Sequence, residues 1–349
     1  MKKFKNLYRN IIHIEQLFYA WDTFIIGKRK RRDVAKFEWD LERNIFDLHQ
    51  DLTNKTYRHD SYFSFYITDP KQRHIHKATV RDRVVHHAVF QVLNALLEPS
   101  FIAYSFSCRV GKGVHKGVNA VAKMARKVSK NFTGPCFALK CDVRKFFDSI
   151  DHNILLKILR EKITDTETMA LLENIIESYI SEQSNLFERR GIPIGNLTSQ
   201  LFANVYMNEF DQFIKHELRV KHYARYTDDF VILSDDRQYL VNLLPVIEQT
   251  LKERLSLTLH PGKIHLTTLL QGIDFLGYVI RPHHHLIRTV TKRRMIRKLK
   301  VKIAEHEEEK ISAEELVQTL NSYLGVLSHA EAHHLSDDLS NETLLSIHE

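Results

Sequence analysis

Cysteine is scarce in this sequence. The three that occur, Cys108, Cys136 and Cys141, form no C-x-x-C pair and cannot all pair with one another, which argues against a disulfide framework and against a zinc ribbon. A reducing cytoplasm suits such a chain. Long apolar runs are missing as well: no stretch reaches the roughly 18 residues of a membrane span. The opening "MKKFKNLYRN" lacks the apolar core of a secretory signal. No internal repeat and no low-complexity tract stands out. A membrane-spanning protein and a small disulfide-stapled module are therefore poor readings, and a cytoplasmic protein with no membrane partner is the expectation.

What is present supports a folded protein of some size. At 349 residues and 43% hydrophobic content the chain can bury a substantial core, as about two domains or one large one with appendages. The balance of 51 Lys plus Arg against 43 Asp plus Glu leaves a net charge of +8. That excess mildly favours a polyanionic partner, although on charge alone a merely basic protein fits as well.

Periodicity predicts two amphipathic helices at the start. Ile11, Ile14, Leu17 or Phe18, Trp21 and Phe24 fall at helical spacing over residues 11 to 25, and Val34, Phe37, Leu41, Ile45, Leu48 and Leu52 repeat the pattern over 34 to 52. Between them "GKRKRR", residues 27 to 32, reads either as a solvated helix-helix loop or as a phosphate-contacting one. From about residue 60 the texture changes to short β-like runs, "YFSFYI", "CFALKC", "HYARY" and "FVILS", interleaved with helices such as "HNILLKILREKI". The fold class is therefore α+β. Helical patterning returns from about residue 291, where "SAEELVQTLNSYLGVL" opens with a Ser-x-x-Glu capping box.

The carboxylates carry the chemistry. The strand-like run from Cys136 to Cys141 delivers Asp142 at its end, and "YARYTDDFVILS" reads as a tight hairpin with Asp228 and Asp229 at its tip. Each alone has a plain explanation as a turn former or helix cap. Together they bring three carboxylates onto adjacent strands of one sheet, where they repel unless hard divalent cations neutralise them. Two such ions about 3.5–4 Å apart activate a hydroxyl and stabilise a leaving pyrophosphate in phosphoryl transfer. Mg²⁺ is the default, because every ligand is an oxygen. The histidine runs "HIHKATVRDRVVHH" and "RPHHHL" have no thiolate partners, so no zinc site is assigned to them. The loop "GIPIGNLTSQ", residues 191 to 200, reads by itself as a Gly-Asn turn followed by an N-cap at Thr198 and Ser199.

In this order these features resemble the palm of a reverse transcriptase, related to bacterial group II intron enzymes. The resemblance rests on Asp142 and on the Tyr226-Thr227-Asp228-Asp229 hairpin. It extends to residues 78 to 118 (similar to the fingers-to-palm stretch), to "GIDFLGYVI" at 272 to 280 (the primer grip) and to "NSYLGVLSHAEAHHL" at 321 to 335 (the thumb helix). It implies a right-hand polymerase fold with a helical N-terminal extension over 1–59, fingers and palm over 60–285, and a helical thumb over 286–349. The implied activity is RNA-directed DNA polymerisation by two-metal nucleotidyl transfer.

The same resemblance assigns roles by position. Asp142, Val143, Asp228 and Asp229 become the metal-holding set for two Mg²⁺ ions, with Mn²⁺ as a substitute. Phe147, five residues after Asp142, matches the aromatic gate that excludes a ribose 2′-hydroxyl; its plain alternative is a core phenylalanine beside Phe146. Arg73, Lys77 and Arg83 lie where fingers residues meet the triphosphate or template, Arg109 and Lys112 match a template-facing pair, and Lys263 is placed as a general acid near the pyrophosphate. Tyr226 joins the nucleotide site, as does the loop around Gly195, whose backbone approaches the substrate closely.

Most of the wider family reads Gln-Gly followed by Ser-Pro in this loop, whereas this chain has Ile194 and Gln200. These departures resemble the reverse transcriptases of diversity-generating retroelements, whose synthesis is error-prone at template adenines. The implied partners are a template RNA, a DNA primer and growing cDNA, deoxynucleoside triphosphates, and a small basic accessory oligomer, the variability determinant. No RNase H or endonuclease module is expected after the thumb. Another compact bacterial reverse transcriptase, of the antiphage-defence, retron or group II intron kind, is the nearest rival, and a catalytically idle RNA-binding scaffold is the rival from another class.

Overall fold

A computed structural model describes residues 4–69, 71–185 and 188–348. The chain opens with α1 (Leu7–Ile12), α2 (Ile14–Ile25), α3 (Arg32–Trp39) and α4 (Leu41–Thr53), then the hairpin β1 (Phe63–Ile67) and β2 (Arg73–Lys77). There follow α5 (Val80–Leu97), α6 (Val114–Val128), β3 (Phe137–Asp142), α7 (Phe146–Ser149), α8 (His152–Lys162), α9 (Thr166–Glu177) and α10 (Leu197–Gln212). Next come β4 (His222–Tyr226), β5 (Asp229–Ser234), α11 (Arg237–Leu255), β6 (His265–Thr268), β7 (Ile273–Phe275), β8 (Tyr278–Ile280) and β9 (His285–Ile287). The chain closes with α12 (Thr289–Glu307), α13 (Ala313–Leu327) and α14 (His333–His348). Every strand pair with a stated register is antiparallel, and the fold is α+β, as the sequence predicts. Among the described residues no helix is long and apolar enough to cross a membrane. All three cysteines are free thiols.

Each of the two helices predicted at the N-terminus is broken by one residue. His13 sits at φ −54, ψ 136 and Asp40 at φ −117, ψ 40, both off the helical basin. The carbonyls released at these breaks are taken up by side chains: the His49 ring bonds the Ile12 carbonyl at 2.8 Å, and Asn44 Nδ2 donates to the Phe37 carbonyl at 3.0 Å. A periodic pattern cannot register such a break, since the apolar stripe continues across it.

The chain divides into two compact units. The first comprises residues 1–103, 142–220 and 245–260. Its centre is α5, whose Val84, Val85, Ala88, Val89 and Leu93 are fully buried against α2 and α10. Each of these valines and the leucine contributes roughly 1.5–3 kcal/mol by leaving water, and Ala88 less. Thr79 caps α5 by accepting from the Asp82 N–H at 3.2 Å. Asp82 is itself buried, and accepts from Tyr57 Oη at 2.7 Å and Thr79 Oγ1 at 2.6 Å, so each carboxylate oxygen has a donor. One turn further along α5, buried His86 bonds Thr198 Oγ1 at 2.8 Å. The sequence reading of the helix that contains Thr198 is corrected here. α10 begins at Leu197 with Asn196 as its N-cap, and Thr198 and Ser199 lie inside its first turn.

The second unit comprises residues 104–141, 221–244 and 261–349. A four-stranded sheet in the order β4-β5-β3-β6 is covered by α6, whose Val118, Val121 and Ala125 meet Ala138, Ala224 and Val231 of the strands. A three-stranded sheet, β7-β8-β9, adds Phe275, Tyr278 and Ile280 to the same core. Helices α12, α13 and α14 build a separate core from Met295, Leu299, Leu316, Leu320 and Leu339. The Ser312 half of the predicted capping box is formed, its Oγ accepting from the Glu315 N–H at 3.2 Å.

Candidate active site

The hairpin between β4 and β5 closes at the pair Tyr226 and Asp229, leaving Thr227 and Asp228 as a two-residue turn. Thr227 has φ 56, a left-handed conformation that disfavours a β-branched residue. What holds it there is a buried arginine. Arg225 is fully buried; its Nη1 donates to the Thr227 carbonyl at 2.9 Å and its Nη2 to Ser105 Oγ at 3.1 Å. The Thr227 hydroxyl in turn bonds Ser107 Oγ at 2.5 Å. Residues 104–107 also run beside β4: the Arg225 N–H donates to the Tyr104 carbonyl at 3.0 Å and the Phe106 N–H to the Arg225 carbonyl at 2.9 Å. This segment covers the edge strand that β4 would otherwise leave open. Burial pushes the Tyr226 phenol above its usual value, with Cys108 adding to the rise and a hydrogen bond from Ser107 opposing it.

β3 lies beside β5 in the sheet. Lys140 of β3 brings its ammonium to 3.5 Å from Asp229 Oδ2 and 3.8 Å from Asp274 Oδ1. Asp142 follows two residues later on the same strand, so strand alternation gives it the same face as Lys140. The Asp142 carbonyl accepts from the His260 N–H at 2.8 Å, and buried Val143 makes an antiparallel bridge with Leu259. The chain then turns through Lys145 at φ 44 into α7. Phe146 is buried, while Phe147 stays half-buried with its ring edge-on to Phe146 at 5.4 Å. The core position in this pair thus belongs to Phe146. Among the described residues no three His, Cys, Asp or Glu side chains converge closely enough to hold an ion by themselves.

The 191–200 loop is tied at both ends of its turn. The Ile192 N–H donates to the Phe147 carbonyl at 2.9 Å, and the Ile194 carbonyl accepts from the His76 N–H of β2 at 3.2 Å. Gly195 has φ 118, and a Cβ there would meet Ile75 Cγ2 at 3.1 Å, so both the conformation and the close approach demand glycine. Asn196 Nδ2 donates to the His76 carbonyl at 3.3 Å. Ile194 and Gln200 are half-buried, the latter in the first turn of α10.

The basic candidates fall into different environments. Lys77 Nζ and Arg83 Nη2 both reach Asp33 Oδ2 of α3 at 2.6 Å, and the Arg83 guanidinium also lies 4.8 Å from the Phe24 ring centroid. Burial raises the Asp33 carboxyl, but the hydrogen bonds from Lys77 and Arg83 outweigh it and hold the group below its ordinary value. Arg73 is exposed at the start of β2. Arg109 Nη1 donates to the Ser105 carbonyl at 2.9 Å, and the Lys112 ammonium lies 5.5 Å from the Phe106 ring centroid. Both therefore attach to the segment that supports Arg225. Lys263 ends a short turn, Pro261–Lys263, directly before β6.

The reverse transcriptase (RNA-dependent DNA polymerase) family matches residues 68–280, more than half of the chain. The chain belongs to this family. Among curated relatives, protein YkfC of Escherichia coli is 26% identical over 247 residues, covering 60% of this chain and 61% of its own length. The group II intron-encoded protein LtrA of Lactococcus lactis is 24% identical over 276 residues, covering 76% of this chain and 45% of its own. A 91 kDa protein in a cob intron of Schizosaccharomyces pombe is 30% identical over 137 residues, with coverages of 39% and 16%. The chain thus spans less than two thirds of each of these relatives. A telomerase structure from Candida albicans aligns over 86% of this chain and 64% of its own, at a TM-score of 0.49 and 12% identity.

In this reverse transcriptase family member, sequence reasoning missed Arg225, Ser105, Ser107, Asp33 and Lys140. Arg225 had a visible signal, a charged residue inside the apolar strand "HYARY" directly before Tyr226. The serines had none, because their partners, Arg225 for Ser105 and Thr227 for Ser107, each lie 120 residues away in the chain.

Proposed function

We propose that this chain is an RNA-directed DNA polymerase whose catalytic centre is built from Asp142, Asp228 and Asp229, with Val143 beside them in the metal-holding set. The observation that carries the reading is the strained Thr227–Asp228 turn held on Arg225, in a hairpin whose second strand lies next to the strand ending at Asp142. Families of this kind depend on divalent metal, and the donor set here suits two Mg²⁺ ions, or Mn²⁺ in their place: all its donors are oxygens. Mg²⁺ takes one or two carboxylates and completes its shell with water and substrate phosphates.

When bound, the ions lower the pKa of the primer 3′-hydroxyl and neutralise charge on the pyrophosphate. The protein's share is positioning. The Arg225 fork sets the turn that carries Asp228, and Lys140 balances Asp229. Half-buried Phe147 is the gate that keeps ribonucleotides out, and the Ile194–Gly195 turn, with Tyr226 and Gln200, lines the nucleotide's place. Lys263 protonates the leaving pyrophosphate. Arg73, Lys77, Arg83, Arg109 and Lys112 serve the triphosphate and template; Lys77 and Arg83 must exchange Asp33 for phosphate to do so.

The substrates are a template RNA, a DNA primer extended into cDNA, and deoxynucleoside triphosphates, handled by fingers and palm over 60–285 with a helical extension before and a basic thumb after. Ile194 and Gln200 favour an enzyme of a diversity-generating retroelement, error-prone at template adenines in mutagenic retrohoming and working in the cytoplasm with a small basic accessory oligomer. The test is primer extension on defined RNA and DNA templates with Mg²⁺, followed by product sequencing. Extension on RNA with errors concentrated opposite adenine is expected. Accurate extension would return the chain to the compact group II intron-like reverse transcriptases, and no extension on either template would sink the polymerase reading.

A further inference from the structure

The second unit carries a basic cavity that the polymerase reading does not use. It measures about 430 Å³ and lies between the C-terminal half of α6 and the turn from β8 to β9. Lys123, Arg126, Arg281 and the run His283-His284-His285 line it, and no carboxylate does. Lys123 and Arg126 stand one helical turn apart, on one face of α6. A second cavity of about 420 Å³ shares the three histidines and continues past Asn119 and His329 to Glu331, whose carboxylate is 3.9 Å from the His284 ring. Each is the size of a small-ligand site, about 300–1,000 Å³.

The wall of the first cavity is strained. Lys130, Asn131 and Phe132 have φ of 50, 63 and 71, three successive left-handed residues without a glycine. Such residues cost about 1–2 kcal/mol each, and persist only where surroundings enforce them. Here the Arg126 carbonyl accepts from the Asn131 N–H at 2.8 Å, Arg126 Nε donates to Asn131 Oδ1 at 2.7 Å, and Ser129 Oγ accepts from the Phe132 N–H at 3.0 Å. The opposite wall does the same, with His283 at φ 68. Two strained turns thus meet at one aromatic pair, the Phe132 and His283 rings 4.5 Å apart, beside three permanent cations.

We propose that these two cavities form a track for a single-stranded nucleic-acid segment, outside the catalytic centre. A phosphate sits among Lys123, Arg126 and Arg281, a base stacks on one ring of the Phe132–His283 pair, whose planes meet at 62°, and the next nucleotide extends toward His329. Aromatic faces beside cations bind single strands because every base offers a stacking face and every linkage a negative charge. A duplex keeps its bases stacked inside and cannot use the aromatic pair. The inference is independent of the catalytic assignment, since none of its residues belongs to the proposed active site.

The full chain, with excess blunt primer–template duplex present, is crosslinked by near-ultraviolet light to a 12-nucleotide RNA containing 4-thiouridine, and the attachment points are mapped by mass spectrometry. Attachment within residues 123–132 and 281–285 is expected. Phe132→Ala and the double variant K123E/R126E should each lower that yield at least fivefold while leaving primer extension on a recessed-end primer–template, assayed separately, unchanged. Crosslinks confined to other segments, or yields unaltered in both variants, overturn the proposal. A DNA 12-mer that competes as well as RNA supports it, with stacking and phosphate as the recognised groups; a weaker DNA competitor supports it and adds the 2′-hydroxyl. Equal competition by adenosine monophosphate at the same concentration overturns it, because a strand gains from both cavities and a monomer does not.

Discussion

Arg225 Nη1 donates to the carbonyl of Thr227, two residues ahead, at 2.9 Å, and so a buried guanidinium fixes the turn that presents Asp228. Its second nitrogen is held by Ser105, so the fork is oriented from behind. A lysine keeps the charge but offers no planar fork to span both acceptors. Arg225→Lys should therefore retain the far-ultraviolet circular dichroism of the wild type, lower primer extension at least tenfold and raise the Mg²⁺ concentration needed for half-maximal rate. A Mg²⁺ titration superimposable on the wild type would show that the fork does not govern the metal-holding turn.

Asp142→Asn and Asp228→Asn should each abolish polymerisation while leaving folding and RNA binding nearly intact, because an amide keeps the shape of the carboxylate and loses its charge. Purified variants that extend a primer at near wild-type rate would exclude these residues from the centre.

Phe147 is half-buried beside a buried Phe146, so part of its ring is left outside the core. Phe147→Ala should admit ribonucleotides with little loss of stability, since the core position is Phe146. Competition between deoxy- and ribonucleotides measures this, and unchanged discrimination returns Phe147 to a packing role.

Ile194 contributes its carbonyl to the His76 N–H, a bond that survives any side-chain change. Ile194→Gln should keep the loop in place and add an amide near the nascent pair, lowering misincorporation opposite adenine. A tenfold change in fidelity needs only ~1.4 kcal/mol, within reach of one or two hydrogen bonds. Sequencing cDNA from both proteins on one RNA template decides it: equal adenine error spectra with activity preserved would mean that the loop seats the nucleotide without setting accuracy.

Burial, with Lys28 and Arg83 nearby, pushes the His87 imidazole from 6.5 down to about 4. The folded protein therefore holds this ring neutral where the unfolded chain protonates it. The stability from that neutral ring is fully present above pH about 6.5 and is lost as pH falls toward about 4. Melting temperature followed from pH 7.5 to 4.5 should decline more steeply in wild type than in His87→Gln. Parallel declines would assign acid sensitivity to other groups.

Local pattern determined much of this protein. Alternation and helical spacing located β1, β3, β4, β5 and α8, because those signals live in neighbouring residues. The order of Asp142, the Ile194–Gly195 loop and the Tyr226–Asp229 hairpin was legible for the same reason, and it sufficed to indicate the family. Tertiary structure decided what depends on a distant partner. His13 and Asp40 interrupt helices whose apolar stripes run on, since His49 and Asn44 satisfy the freed carbonyls. Thr198 lies inside a helix that begins at Leu197, and its hydroxyl meets His86 across 112 residues of chain. Lys77 and Arg83 converge on Asp33, and Ser105 and Ser107 support a turn far along the sequence, through contacts that leave no periodic trace. Residue spacing reports which face a side chain takes; only the folded chain brings to that face the one group that completes its hydrogen bonds.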